Sequence, residues 1–153
     1  MNIKKVSTTL DTLSPIILAM LDENIDILMT VTGTSMTPML RNKRDKVILT
    51  SCDKFGLKRG DIPLYRRSNG KYVLHRIVKV NENTYDLCGD NQCEIEKDVP
   101  KSSVIAVVKA FERNGKMYGC NDIRYDLYWR FWLLAMPFRR LIQKVRHNLR
   151  RRK

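Results

Sequence analysis

Nowhere among the 153 residues is there an unbroken apolar run of the ~18 residues that a membrane-spanning helix needs. Behind Lys4 and Lys5 no continuous apolar segment follows, so no secretory signal is read in the first residues. Cysteine is sparse and badly spaced for metal. Cys52, Cys88, Cys93 and Cys120 offer neither a second ligand pair for a zinc loop nor a redox Cys-x-x-Cys, so no metal site is read from them. Histidine occurs only as His75 and His147. Acid is scarce at the C-terminal end. From Arg124 onward ten Lys or Arg stand against Asp126 alone (10 − 1 = +9), and the whole-chain charge of +13 leaves +4 for residues 1–123. The basicity belongs to the tail. A hydrophobic share of 43% with 29% charged residues rules out wholesale disorder, and the length suits one domain with an appendage.

What is present divides into three parts. Residues 1–26 read as an N-terminal helix packed on the core, with Leu10, Leu13, Ile17, Met20 and Leu21 near helical spacing over 8–23. Pro15 is awkward there unless Ser14 caps a helix beginning at that point. Residues 27–121 turn to short β-prone runs at Ile27–Thr32, Lys46–Thr50, Ile62–Arg66, Tyr72–Val80, Thr84–Cys88, Val104–Phe111 and Lys116–Tyr118. Arg59-Gly60-Asp61, Ser68-Asn69-Gly70, Gly89-Asp90-Asn91 and Asn114-Gly115 separate them, the second and fourth being hairpin turns whose Asn and Gly accept positive φ. The pattern predicts a mainly β fold, a barrel or sandwich capped by one helix. Residues 122–153 form an aromatic and basic helical tail with a kink or break expected at Pro137.

Three segments carry chemistry. Gly33-Thr34-Ser35-Met36-Thr37-Pro38 places a serine on a sharp turn, where its hydroxyl can leave the sheet and its N–H can meet a developing oxyanion. His75, in the apolar strand Tyr72–Val80 and on one face with Val73 and Ile77, can accept the serine proton near neutral pH and return it to a leaving amine. A histidine on such a face is more often a core residue, and the serine beside it changes the weighting. Asp90 could hold the imidazole in the right tautomer, although Gly-Asp-Asn is also an ordinary turn; Glu94, Glu96 and Asp98 are competing acids. Asp61 reads as a structural turn residue.

Together these segments resemble the signal peptidase I superfamily, which also contains the self-cleaving SOS-repressor proteases. The serine box resembles Gly33–Pro38, the Gly-Asp box Gly60-Asp61-Ile62, the base-bearing strand Val73–Val78 and the Gly-Asp-Asn box Gly89–Asn91, in order over residues of about 27 to 110. The resemblance implies a signal-peptidase-like fold and a Ser35/His75 pair in peptide hydrolysis, without metal or cofactor. Histidine at the base position is similar to the archaeal, endoplasmic-reticulum and some Gram-positive forms. The chain departs from the pattern in three ways: no N-terminal anchor is seen, Pro63 follows the Gly-Asp box and suggests an edge strand, and no Asp-rich continuation follows Asn91.

The expectation is therefore a serine endopeptidase that processes precursors or leader peptides, taking extended peptides as substrate. Two rivals stand beside it. A self-cleaving repressor would want a helix-turn-helix, an Ala-Gly cleavage dipeptide and a lysine base, and none is found. A catalytically idle binding module would keep the fold and use the tail. For residues 125–153 the basic groups and Tyr128, Trp129, Phe131 and Trp132 favour an anionic membrane surface over nucleic acid or packing on the domain itself or a partner. Peripheral membrane or cytoplasmic placement follows.

Overall fold

The structure, a computed structural model, describes residues 10–151, with side chains from 15 to 139 and that of Leu141. The described residues are mainly β, with one curled sheet, one small sheet, two α-helices and a single 3-10 turn at Lys101–Ser103. The elements are α1 (Leu10–Asp22), β1 (Ile27–Thr30), β2 (Lys46–Thr50), β3 (Pro63–Arg66), β4 (Tyr72–Leu74), β5 (Arg76–Val80), β6 (Thr84–Cys88), β7 (Glu96–Pro100), β8 (Val104–Arg113), β9 (Lys116–Gly119) and α2 (Ile123–Arg151). The large sheet runs β1-β2-β8-β3-β4 with β9 on β8, and the small one runs β5-β6-β7.

Alternation explains how one chain serves two cores. In β3, Leu64 joins the cluster of Leu40, Val47, Leu49, Ile62 and Ala106, covered by Ile17 and Leu21 of α1 and Tyr125 of α2. The next residue, Tyr65, points the other way, into the cluster of Ile77, Tyr85, Leu87, Val99 and Val104 beneath the small sheet.

Several expectations change. Strand Tyr72–Val80 is not one strand: β4 pairs with β3 and β5 with β6, so the chain changes sheet at His75. Pro63 does not mark an edge. It opens β3, which lies between β8 and β4, and a first-residue proline leaves the ladder behind it intact. Strand β7 was not expected, because Glu96-Lys97-Asp98-Val99-Pro100 is charged and ends in proline, which suits the edge strand it is. Helix α1 runs from Leu10 with Pro15 inside it, rather than starting at Ser14, and the expected Thr8 and Thr9 lie outside the described residues. Helix α2 continues through the exposed Pro137, although proline removes one backbone bond there. The β8–β9 turn has Asn114 at φ 52° and Gly115 at φ 74°, the paired positive angles that a tight hairpin requires.

Candidate active site

The loop from Val31 to Asp45 presents Ser35. Met36, Met39 and Leu40 bury themselves beneath it, and the Leu40 N–H donates to the Met36 carbonyl at 2.8 Å. Gly33 takes φ 86°, a left-handed conformation that residues with a Cβ resist, at the turn into Ser35. At the loop's base Arg44 and the Arg41 N–H both donate to the buried Asp45 carboxylate. Ser35 itself is half-buried. No described residue accepts a hydrogen bond from its N–H, which leaves that donor for an incoming oxyanion.

The Gly89-Asp90-Asn91 turn lies directly behind the serine. Asn91 N–H donates to the Ser35 carbonyl at 2.7 Å. A Cβ on Gly89 would stand 2.6 Å from that same carbonyl oxygen and 3.1 Å from the Ser35 Cβ. Glycine is therefore demanded by close approach, and any side chain would push the serine loop away.

Ser35 and His75 line one cavity of about 230 Å³. Met29 and Val31 on the β1 side, Tyr72, Val73 and Leu74 of β4, and Met36 and Leu64 supply its apolar walls, with Gln92 and Arg67 as polar neighbours. The strands β1 and β4 end the order of the large sheet, so the curl brings both unpaired edges to the same cavity. Among the described residues no hydrogen bond joins the Ser35 hydroxyl to the His75 ring. In unliganded hydrolases such contacts are often loose and tighten around substrate.

The imidazole is 2% exposed. Its Nδ1 lies 3.2 Å from the Tyr65 hydroxyl oxygen. That hydroxyl has one hydrogen, and it donates it to Glu96 Oε2 at 2.6 Å. The phenol oxygen must then accept from Nδ1–H, leaving Nε2 as the basic nitrogen of the ring. Arg67 closes the outer end, donating from Nε and Nη2 to Glu96, the shortest contact being 2.6 Å. Burial, and then the Arg67 charge, push His75 down to about 4, against the pull of Glu96 and Asp90. The ring is neutral at pH 7, as a general base must be. Burial and the Glu96 carboxylate raise Tyr65 well above an ordinary phenol, so it stays protonated. Glu96 sits below the usual carboxylate range: burial opposes this, but its bonds from Arg67 and Tyr65 outweigh burial.

Asp90 is not where the sequence reading placed it. Both carboxylate oxygens are taken by Arg76, with Nε to Oδ1 at 2.9 Å and Nη2 to Oδ2 at 2.8 Å, and the pair is fully buried. The reason is alternation: Arg76 follows His75 and leaves the backbone on the opposite side. The acid that reaches the His75 ring, through Tyr65, is Glu96, whose nearer oxygen is 3.8 Å from Nδ1. Glu94 and Asp98 have no contact with the ring among the described interactions. Asp61 is a turn residue, accepting from the Lys58 N–H at 2.7 Å.

Sequence reasoning missed Tyr65, Arg67, Arg76, Tyr125 and Tyr128. The one available signal was arginine directly after histidine in an apolar strand, since a buried guanidinium needs a carboxylate. Tyr128 donates to Asp90 Oδ2 at 3.2 Å, and Tyr125 donates to the Gly60 carbonyl at 2.8 Å, which also accepts from Arg76. Trp129 lies flat over Gly60, where a Cβ would meet its ring at 2.6 Å. Tyr128, Trp129 and Trp132, three of the four rings expected at a lipid surface, are partly buried. Of Tyr128, Trp129, Phe131 and Trp132, only Phe131 is exposed.

No model of a known protein family matches the chain, and no curated protein sequence matches it. Among the described residues no group of His, Cys, Asp or Glu is arranged to hold a metal ion, and no helix is long and apolar enough to cross a membrane.

Proposed function

We propose that the chain is a signal-peptidase-like serine endopeptidase in which Ser35 attacks the scissile carbonyl and His75 serves first as base and then as acid. The observation that carries this reading is the convergence of Ser35 and a neutral, buried His75 on one cavity, with the Gly89–Asn91 turn bonded to the serine backbone. In the first step His75 Nε2 takes the hydroxyl proton as Oγ bonds to the carbonyl carbon, and the charge passes to the carbonyl oxygen, which the Ser35 N–H receives. The imidazolium is steadied through Tyr65 by Glu96. It then returns its proton to the leaving amine, and water repeats the sequence to free the acyl group. Substrate would enter as an extended strand between the free edges of β1 and β4, presenting apolar side chains to the walls.

A peptide library incubated with the wild type should yield defined cleavage products by mass spectrometry. Ser35→Ala and His75→Ala should each lose at least about a thousandfold in kcat, with unchanged circular dichroism. Ordinary turnover in either variant defeats the mechanism. The idle-module reading is favoured by one observation, the missing hydrogen bond between Ser35 and His75, and a library left intact by the wild type would select it.

The tail remains the proposed contact with an anionic membrane surface, but through another face. Leu127, Phe131, Leu134, Phe138 and Leu141 are 62–73% exposed and follow each other by four and three residues, a single ridge opposite the packed aromatic face. The ridge can enter the acyl boundary while the surrounding arginines stay with the headgroups. The full chain should sediment with phosphatidylserine vesicles, and Phe131→Asp with Phe138→Asp should release it. Equal sedimentation of both proteins would remove the idea.

A further inference from the structure

The inner face of α2 reaches the serine loop by a short path. Asp90 is held from that helix at two points: Tyr128 donates to its carboxylate, and Arg139 Nη2 donates to its backbone carbonyl. Arg139 is itself laid over the Trp132 ring, 3.9 Å from its centre. On either side of Asp90 stand the residues that touch the serine, Gly89 by close approach and Asn91 by its hydrogen bond to the Ser35 carbonyl. One residue thus separates the helix from the contacts that place Ser35. On the far side of the Arg76–Asp90 pair, the Tyr125 and Tyr128 rings lie 5.4 and 5.7 Å from the guanidinium carbon and close the pair off from water.

The attachment has little to spare. Trp132 Nε1 and Arg139 Nη1 are buried donors without a partner among the described residues, and a buried donor left unpaired is costly. The Gly89–Asn91 turn lies outside the strand ladders; Gln92 N–H closes it on the Gly89 carbonyl at 2.8 Å, and α2 shares the grip on Asp90 with Arg76 of β5.

We propose that α2 is a positioning element for the nucleophile: Tyr128 and Arg139 fix the Gly89–Asn91 turn, and the turn fixes Ser35. That Ser35 is a nucleophile rests on the function proposed above; the mechanical link from helix to turn does not. Displacing a catalytic group by about 1 Å can cost about a hundredfold in rate, so a loosened turn acts on kcat, whereas the substrate walls on β1 and β4 are untouched.

The test uses the full chain, labelled with ¹⁵N, in four forms: wild type, Tyr128→Phe, Tyr128→Phe with Arg139→Met, and Arg139→Lys. Tyr128→Phe keeps the ring over Arg76 and removes only the hydroxyl, so it should fold. Exchange of the Asn91 amide is compared with exchange of the Val47 and Leu49 amides in β2, which report global opening. In the double variant Asn91 should lose at least about tenfold in protection beyond any change in β2. In Ser35-dependent peptide cleavage kcat should fall at least about fivefold with KM unmoved, and Arg139→Lys should hold both readouts near wild type. The idea is overturned if Asn91 changes only in step with β2, or if kcat is unchanged. Should Ser35→Ala still cleave, or no peptide be cut, the peptidase reading fails, and Asn91 exchange alone then decides whether α2 holds the turn.

Discussion

His75 and Arg76 leave consecutive backbone positions in opposite directions, and the two sides are built differently. His75 meets an uncharged phenol, behind which Glu96 and Arg67 stand 30% and 33% exposed. Arg76 meets Asp90 in a pair with side chains 0% and 1% exposed, sealed by two tyrosines of α2. On the first side, charge is kept one residue away from the ring and its outer end is wet, so the imidazole can gain and lose a proton without stranding a partner. On the second side, neither charge can change without leaving the other dry and alone. A neutral ring relayed to a half-wet acid and a rigid buried ion pair are thus separated by a single peptide bond.

The sharpest way to break this contrast is to remove one acid from each side. Asp90→Ala leaves the Arg76 guanidinium buried and unpaired, which should cost about 3–5 kcal/mol in urea unfolding. Glu96→Gln keeps an acceptor for Tyr65 and leaves Arg67 half in water, so its cost should stay within about 1 kcal/mol. Equal losses from the two variants would mean that the two sides are not differently built.

That contrast was only half legible in the sequence. Strands such as Lys46–Thr50 and Thr84–Cys88 declare themselves because β-branched and apolar residues stand between turn residues, and β2 and β6 have those bounds. The sequence leads to the expectation that Ser35 and His75 lie within proton-transfer reach; the structure sets both on one cavity, and no hydrogen bond joins them among the described residues. The partner of Asp90 was not legible, because the strand reading missed the change of sheet at His75, and alternation then decides which residue meets which acid. Glu96 was one acid among several until pairing of β7 with β6 set it opposite Leu87. The faces of α2 were ambiguous for another reason. Tyr125, Trp129, Trp132 and Met136 form one apolar stripe and Leu127, Phe131, Leu134 and Phe138 another, so periodicity alone cannot say which is inward. Gly60, whose empty side-chain position receives Trp129, settles it.

The smaller effect is a titration, and its sign follows from burial. His75 is held down to about 4 in the folded chain, against about 6.5 when unfolded. The unfolded state therefore binds the proton first, and stability that is complete above about pH 6.5 is lost as pH falls toward 4, by up to about 3 kcal/mol. His75→Gln cannot titrate, so between pH 7 and 4 it should lose less stability than the wild type by that margin; parallel pH curves would show that the ring is not kept neutral by its site. Under the peptidase function proposed above the same proton governs turnover, because only the neutral imidazole can act as base. Wild-type kcat/KM should rise from acid pH through about 4 and be level at neutrality. Glu96 pulls the His75 value upward, so Glu96→Gln should move this limb to lower pH and, by making a weaker base, reduce kcat. If Asp90→Asn moves the limb as far as Glu96→Gln does, the imidazole answers to the dry pair as much as to the wet relay, and the two sides of the His75–Arg76 bond are not separate.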